Sequence, residues 1–245
     1  MLSTQIRRAH ELTESDIDCM YALYNAYYDA VSEATFVRDL RSKQYVIQLV
    51  SEGHLRGFST IALISSVVAD RPVRAIFSGD TIIHHDAWGE QSLAIEFCKF
   101  AGRTFALNPA TPLYWFLISK GHRTYRYLRS FAKKYYPHHF LNTPPEIQAI
   151  LDALASQRFG SNYDPVSGLV TFLQSAGHLK PEWDGMHVHL LARPEVQFFV
   201  QRNPGYFRGD ELACITELSS ANLRSFALRA FNRGRLGERD LKNAA

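Results

Sequence analysis

The 245-residue sequence contains no apolar run approaching the roughly 18 consecutive residues that a membrane-spanning helix needs, and the stretch Ile61 to Ala69 is far too short. No membrane span is expected. Met1 to Glu11 carries Arg7 and Arg8 with no apolar segment behind them, so the charged-then-greasy order of a signal peptide is missing and a cytoplasmic protein is expected. Cysteine is scarce. Cys19, Cys98 and Cys214 stand far apart, form no CxxC pair and leave an odd one over, which argues against a disulfide framework and a zinc ribbon and for three reduced, packed thiols. Charge of one sign is not in excess either: 27 Lys and Arg against 24 Asp and Glu give a net +3, too little for wholesale nucleic-acid binding, and no nucleic-acid partner is expected. Internal repeats and low-complexity linkers are absent, which favours one elaborated domain over residues 1–220 followed by a basic helix or tail at 221–245.

What is present is ample material for a core, with 46% apolar and 13% aromatic residues. Ile6 to Glu11 reads as a short strand, and Thr13 with Asp16 three residues on reads as a capped start for a helix carrying Ile17, Met20, Tyr24 and Tyr27. A second short helix fits Thr35 to Arg41. Strands fit Tyr45 to Val50, Leu55 to Val68 and Val73 to Ile83, joined by turns short enough to be antiparallel hairpins. Leu93, Phe97, Phe100, Ala101 and Phe105 mark an amphipathic helix that Asn108-Pro109 ends, and the apolar strand Leu113 to Ser119 follows. Gly121 opens a basic helix expected to stop before Pro137, and Thr143-Pro144-Pro145-Glu146 opens a helical elaboration at about 141–160. In the last third, Val166 to Phe172, Met186 to Leu191 and Leu212 to Leu218 read as strands. The tail from Ala221, with six basic residues against two acidic, reads as a solvated helix.

This order resembles the GNAT superfamily of N-acyltransferases, and three local stretches carry the likeness: Ile6-Arg7-Arg8-Ala9 through Asp16-Ile17, Leu55-Arg56-Gly57-Phe58, and His84-His85-Asp86-Ala87-Trp88-Gly89. The resemblance implies an α+β fold, a mixed and mostly antiparallel central sheet with helices on both faces. It also implies acyl transfer from acetyl-CoA or a longer acyl-CoA to an amine-bearing small molecule or peptide by direct attack, without a metal. The third stretch sits where the family has a loop, R/Q-x-x-G-x-G/A, whose backbone N–H groups close around a pyrophosphate at a helix N-terminus. Here Gly89 is the loop's only glycine, with Gln91 and Leu93 where one register expects glycines. The resemblance places donor binding on Ile82, Ile83, His84, Trp88, Gly89, Glu90, Gln91, Ser92 and Arg123. Three readings of the eroded loop stay open: fewer backbone donors with Gln91 and Ser92 helping, an acyl carrier protein as the thioester's bearer, or loss of donor binding.

Acyl transfer to an amine requires a deprotonated nucleophile, support for the oxyanion and a proton for the leaving thiolate. In the helix from Gly121, Tyr125 and Tyr127 both stand near the family's tyrosine acid, on the borders of an apolar face made by Thr124, Leu128, Phe131 and Tyr135. For a base, Asp80 and His84 share a face of one strand by alternation. His84, His85 and Asp86, the pair His138-His139, and the pair His187 and His189 on an expected strand are residue types that ligate metals, but no complete set emerges, and no metal site is expected. The basic stretch Lys120 to Lys134 reads as a solvated face that would also attract phosphates or an acidic carrier protein. Tyr24, Tyr27, Tyr28, Tyr114, Trp115, Phe116, Phe198 and Phe199 read mainly as core; if they line a tunnel, the acyl group is long, and the resemblance then allows a fatty acyltransferase acting on a Lys or ornithine-like amine of a peptide. The alternative is a non-catalytic ligand-sensing or assembly protein on the same scaffold.

Overall fold

The computed structural model describes residues 2–173, 177–184 and 188–243. The fold is α+β, as expected. Strand β1 (Leu2–Arg8) stops three residues earlier than its sequence limits suggest, because Ala9–Glu11 turns into a 3₁₀ segment. Helix α1 (Glu14–Tyr27) begins at a reciprocal cap: the Thr13 hydroxyl accepts from the Asp16 N–H at 3.2 Å while the Asp16 carboxylate accepts from the Thr13 N–H at 2.8 Å. Thr13→Ala should therefore cost about 1 kcal/mol, read as a lower urea midpoint with an unchanged slope.

There follow β2 (Tyr28–Asp29), α2 (Glu33–Arg41), β3 (Tyr45–Ser51), β4 (His54–Val68), β5 (Arg71–Ile83), α3 (Ser92–Leu107), β6 (Leu113–Ser119), α4 (His122–Phe131) and α5 (Pro145–Phe159). Beyond them lie β7 (Tyr163–Asp164), β8 (Leu169–Val170), β9 (His178–Leu179), α6 (Pro181–Asp184), α7 (Val188–Leu191), α8 (Pro194–Arg202), β10 (Glu211–Glu217) and α9 (Ser225–Asn243). The last third departs from the sequence reading: only Leu169–Val170 of the first expected strand pairs, and Val188–Leu191 is a helical turn. Met186 and His187 lie outside the described residues.

Eight strands form one sheet in the order β1-β3-β4-β5-β6-β10-β8-β7, antiparallel at every pairing except β5 with β6. Alternation sorts its side chains into two layers. On one face Leu113, Trp115 and Leu117 pack with Phe97 of α3, Phe131 of α4 and Phe231 of α9; on the other Tyr114 and Phe116 pack with Leu151 and Leu154 of α5. The helices α1 and α2 cover the second face nearer β3 and β4, through Met20, Phe36 and Phe58. Two expectations fall on burial. Helix α9 is not a solvated tail, since Ala227, Ala230 and Phe231 are buried against α3, and Cys19 is exposed while Cys98 and Cys214 are buried. No helix among the described residues is long and apolar enough to cross a membrane.

Candidate active site

The site begins with a register fault. β5 is paired with β6 from Arg74 to Ser78, opposite Leu113 to Leu117, and from Gly79 onward it has no strand neighbour on that side among the described residues. Its pairing with β4 continues to Ile83, but with a shift between Ser59 and Ile61, so that Gly79 and Asp80 together oppose Thr60. This is a β-bulge, and it bends the strand and re-aims its side chains. Glycine leaves room at the bend: a Cβ on Gly79 would lie 2.6 Å from the Thr60 hydroxyl and 2.9 Å from Lys43 Cε, so both side chains would have to shift. The strand ends at Ile83, so the simple alternation that put Asp80 and His84 on one face does not hold: Asp80 sits in the bulge itself and His84 belongs to the following loop.

Where β5 leaves β6 a cavity of about 880 Å³ opens. Its apolar side is built by Leu93, Phe97, Trp115, Leu117 and Phe131, its opposite side by Phe77, Phe159 and Phe172. Between them sits a cluster of charge. Asp80 is half-buried, and its carboxyl is pushed up by burial and by Asp39, against the pull of Lys43 and Lys120. Glu211, the first residue of β10, is 6% exposed and lies 3.5 Å from the Lys120 ammonium. Burial raises its carboxyl to about 7 even though Lys120 pulls it down. Burial also pulls Lys120 down, but Glu211 and Asp80 outweigh it and leave the ammonium above its usual value. Lys43 pairs with Asp39, and Arg158 reaches Asp39 at 3.3 Å.

Of the residues expected to act, Asp80 and Tyr127 line this cavity, with Tyr127 half exposed. Tyr125 does not line it. It is fully buried, stacked near Phe198 and Phe199, and donates its hydroxyl to the Pro137 carbonyl at 3.0 Å. The helix is turned from its expected setting: His122, Tyr125, Leu128 and Phe131 form the buried face, Thr124 is exposed, and Tyr135 lies beyond the end of α4. Of the residues expected to bind the donor, Ile82, Ile83, Trp88, Gly89, Glu90 and Arg123 line the cavity, and His84, Gln91 and Ser92 do not.

The loop into α3 is held tightly. Tyr27 accepts the His85 N–H at 2.7 Å and bonds His85 Nδ1 at 3.1 Å, and Trp88 donates its indole N–H to the Ile83 carbonyl at 2.9 Å. Trp183 lies against Tyr27, His85 and Trp88. At the N-terminus of α3 the Glu90 carboxylate accepts from the N–H groups of Gln91 and Ser92 and from the Ser92 hydroxyl, at 2.9, 3.0 and 2.6 Å. Those bonds hold its carboxyl below the usual range. The chain thus fills its own anion site, and Gln91 contributes only its backbone. His84, His85 and Asp86 bring three potential ligand atoms within 4.8 Å of one another, one such group among the described residues. Of the histidine pair at 187 and 189, position 187 lies outside the described residues and position 189 falls on α7 and not on a strand.

Glu211, Lys120, Lys43 and His122 were not foreseen as a site. No local motif marks them; a glutamate opening the strand Leu212 to Leu218 and a lysine closing the strand Leu113 to Ser119 become informative only when β10 is known to lie beside β6.

No protein-family model matches this sequence, and no curated protein does. Solved structures similar in part include a probable N-acyltransferase from Enterococcus faecalis V583, at 10% identity over 53% of this chain and 33% of that one with a TM-score of 0.39. Another is a ribosomal-protein-alanine N-acetyltransferase from Brucella melitensis biovar Abortus 2308, at 16% identity over 48% and 79% with a TM-score of 0.36. A third is a GCN5-related N-acetyltransferase from Kribbella flavida, at 12% identity over 55% and 34% with a TM-score of 0.39. The chain thus spans about a third of the length of the first and third of these proteins.

Proposed function

We propose that this protein is an N-acyltransferase that brings an acyl thioester and an amine together across the gap between β5 and β6. The observation that carries the reading is the parting of two central parallel strands at a bulge, with a cavity at the gap lined by the half-buried Asp80 and the buried Glu211. Hydrogen-bond directions alternate along a strand, and the His84 N–H is spent on Arg56 O. The N–H groups of Ile83 and Thr81 then point away from β4, toward the missing neighbour, where a thioester carbonyl oxygen would accept them and an oxyanion would accept them more strongly.

In the proposed step the amine nitrogen attacks the thioester carbon, the tetrahedral oxyanion collapses, and the carbon–sulfur bond breaks. Asp80 helps draw the ammonium form of the acceptor into the cleft, where it gives one proton to solvent to free the lone pair, and Glu211 takes the second proton that nitrogen loses as the carbon–nitrogen bond forms. Tyr127 supplies the proton that the departing thiolate needs. Acyl-CoA or an acylated carrier protein is the proposed donor, and the aromatic lining favours an acyl group longer than acetyl on an amine such as a Lys or ornithine-like side chain. A panel of short and long acyl thioesters with candidate amines, carrier-protein donors included, tests this by thiol release; none released from any pair would refute it. Within that assay Tyr127→Phe should slow turnover by tenfold to a hundredfold. Tyr125→Phe should leave the rate within twofold and lower stability by about 1 kcal/mol through its lost hydrogen bond to Pro137 O.

Glu90 at the N-terminus of α3 favours a second reading, a ligand-sensing protein that keeps the scaffold without turnover. On that reading Asp80→Ala and Tyr127→Phe would leave cellular function intact.

A further inference from the structure

A cleft that takes a CoA thioester must place its diphosphate, and two helices of this cleft begin at the cavity. Their N-termini are in opposite condition. That of α3 is satisfied by the Glu90 carboxylate, so a second anion there would have to displace an ion held by three hydrogen bonds.

That of α4 is open. The helix is ten residues long, its N-cap is Gly121, no side chain caps it, and its first turn holds no acid. Its leading N–H groups therefore lack the usual side-chain partner. A Cβ built on Gly121 would meet nothing within 4 Å, so there is open space beside the cap residue. The Arg123 guanidinium stands 4.9 Å over the Trp88 ring, facing the loop that leads to α3.

The second observation is His122. Its side chain lines the cavity at 1% exposure, and neither ring nitrogen has a hydrogen-bond partner among the described residues. A buried polar group left without a partner is destabilising, and an incoming ligand oxygen removes that cost. Burial, then Arg123 and Arg126, push the imidazole down to about 4, so near neutrality it is uncharged and offers one N–H.

We propose that the N-terminus of α4, with His122 and Arg123, binds the diphosphate of the acyl donor, and that the N-terminus of α3 does not. The identity of the anion rests on the acyl-thioester reading; the site itself can be probed without it. Calorimetry on the full chain would compare inorganic pyrophosphate, CoA and pantetheine. CoA should bind at least tenfold more tightly than pantetheine. Arg123→Ala, an exposed position, and His122→Phe should each weaken CoA and pyrophosphate at least fivefold and leave pantetheine within twofold, while Glu90→Ala changes CoA affinity less than threefold.

A tenfold gain for Glu90→Ala with Arg123→Ala silent would put the diphosphate at α3 and overturn the proposal. So would pyrophosphate binding that survives both α4 variants, whether or not His122→Phe folds, since Arg123→Ala reads the same site. Pyrophosphate binding that needs both residues, in a protein that releases no thiol from any thioester, would support the anion site and refute the transferase. Thiol release whose preference for CoA over pantetheine ignores both variants would do the reverse.

Discussion

Glu211→Gln is expected to lower kcat/KM for amine acylation at pH 7 by at least a hundredfold, the low end of what a positioned general base contributes. The substitution keeps the shape of the side chain and removes only its capacity to take a proton. With the Glu211 carboxyl at about 7, the wild-type rate should climb about tenfold per pH unit below 7 and level off above it; the variant should lose that limb. A variant that keeps both the rate and the limb would pass the role to Asp80. Stability should carry the same group with a definite sign. The carboxyl binds its proton more tightly in the folded chain than at its ordinary value of 4.5, so its stabilising contribution is complete below about pH 4.5 and is lost as pH rises through 7. At about 1.4 kcal/mol per pH unit the loss is about 3 kcal/mol, and urea titrations from pH 5 to 8 should show the wild type weakening relative to Glu211→Gln.

Gly234→Ala should destabilise the protein by about 2–3 kcal/mol, against the direction that helix propensity alone dictates. Alanine in a helix interior is worth about 1 kcal/mol over glycine, yet a Cβ on Gly234 would fall 1.9 Å from the Lys99 carbonyl oxygen, and one on Gly102 would fall 1.9 Å from that of Phe231. These are backbone atoms of helices in close crossing, so neither can swing aside, and overpacking of this kind costs about 1–3 kcal/mol or more. For a chain of this size the melting temperature should drop by about 4–10 °C. An unchanged or raised melting temperature would mean that α9 sits farther from α3 than the structure has it.

The first 130 residues were legible because their elements announce themselves locally: Thr13 and Asp16 as a cap, Leu93 to Phe105 as a stripe, Leu113 to Ser119 as an apolar run. The register fault at Gly79 and Asp80 was not, since a bulge belongs to the pairing of two strands and neither strand's own pattern records it. The same holds for Glu211 and Lys120, which meet only because β10 enters the sheet beside β6. Tyr125 and Tyr127 both read as border residues because the sequence pattern does not mark His122 as a core residue; its burial turns the helix and separates a structural hydroxyl from an accessible one. Gly102 and Gly234 look like weak points in two helices when read singly. They are the contact between them.

The seam of the sheet has a thermodynamic consequence. Strands β5 and β6 are registered over five residue pairs, Arg74 with Leu113 through Ser78 with Leu117, and this short parallel ladder joins β1-β3-β4-β5 to β6-β10-β8-β7. A ligand lying in the gap would touch both halves and act as a clasp whose binding free energy adds to the cost of parting them. Amide hydrogens along the Leu113–Leu117 ladder should then exchange with solvent more slowly in the occupied protein, while those of the distant β1–β3 ladder keep their rates.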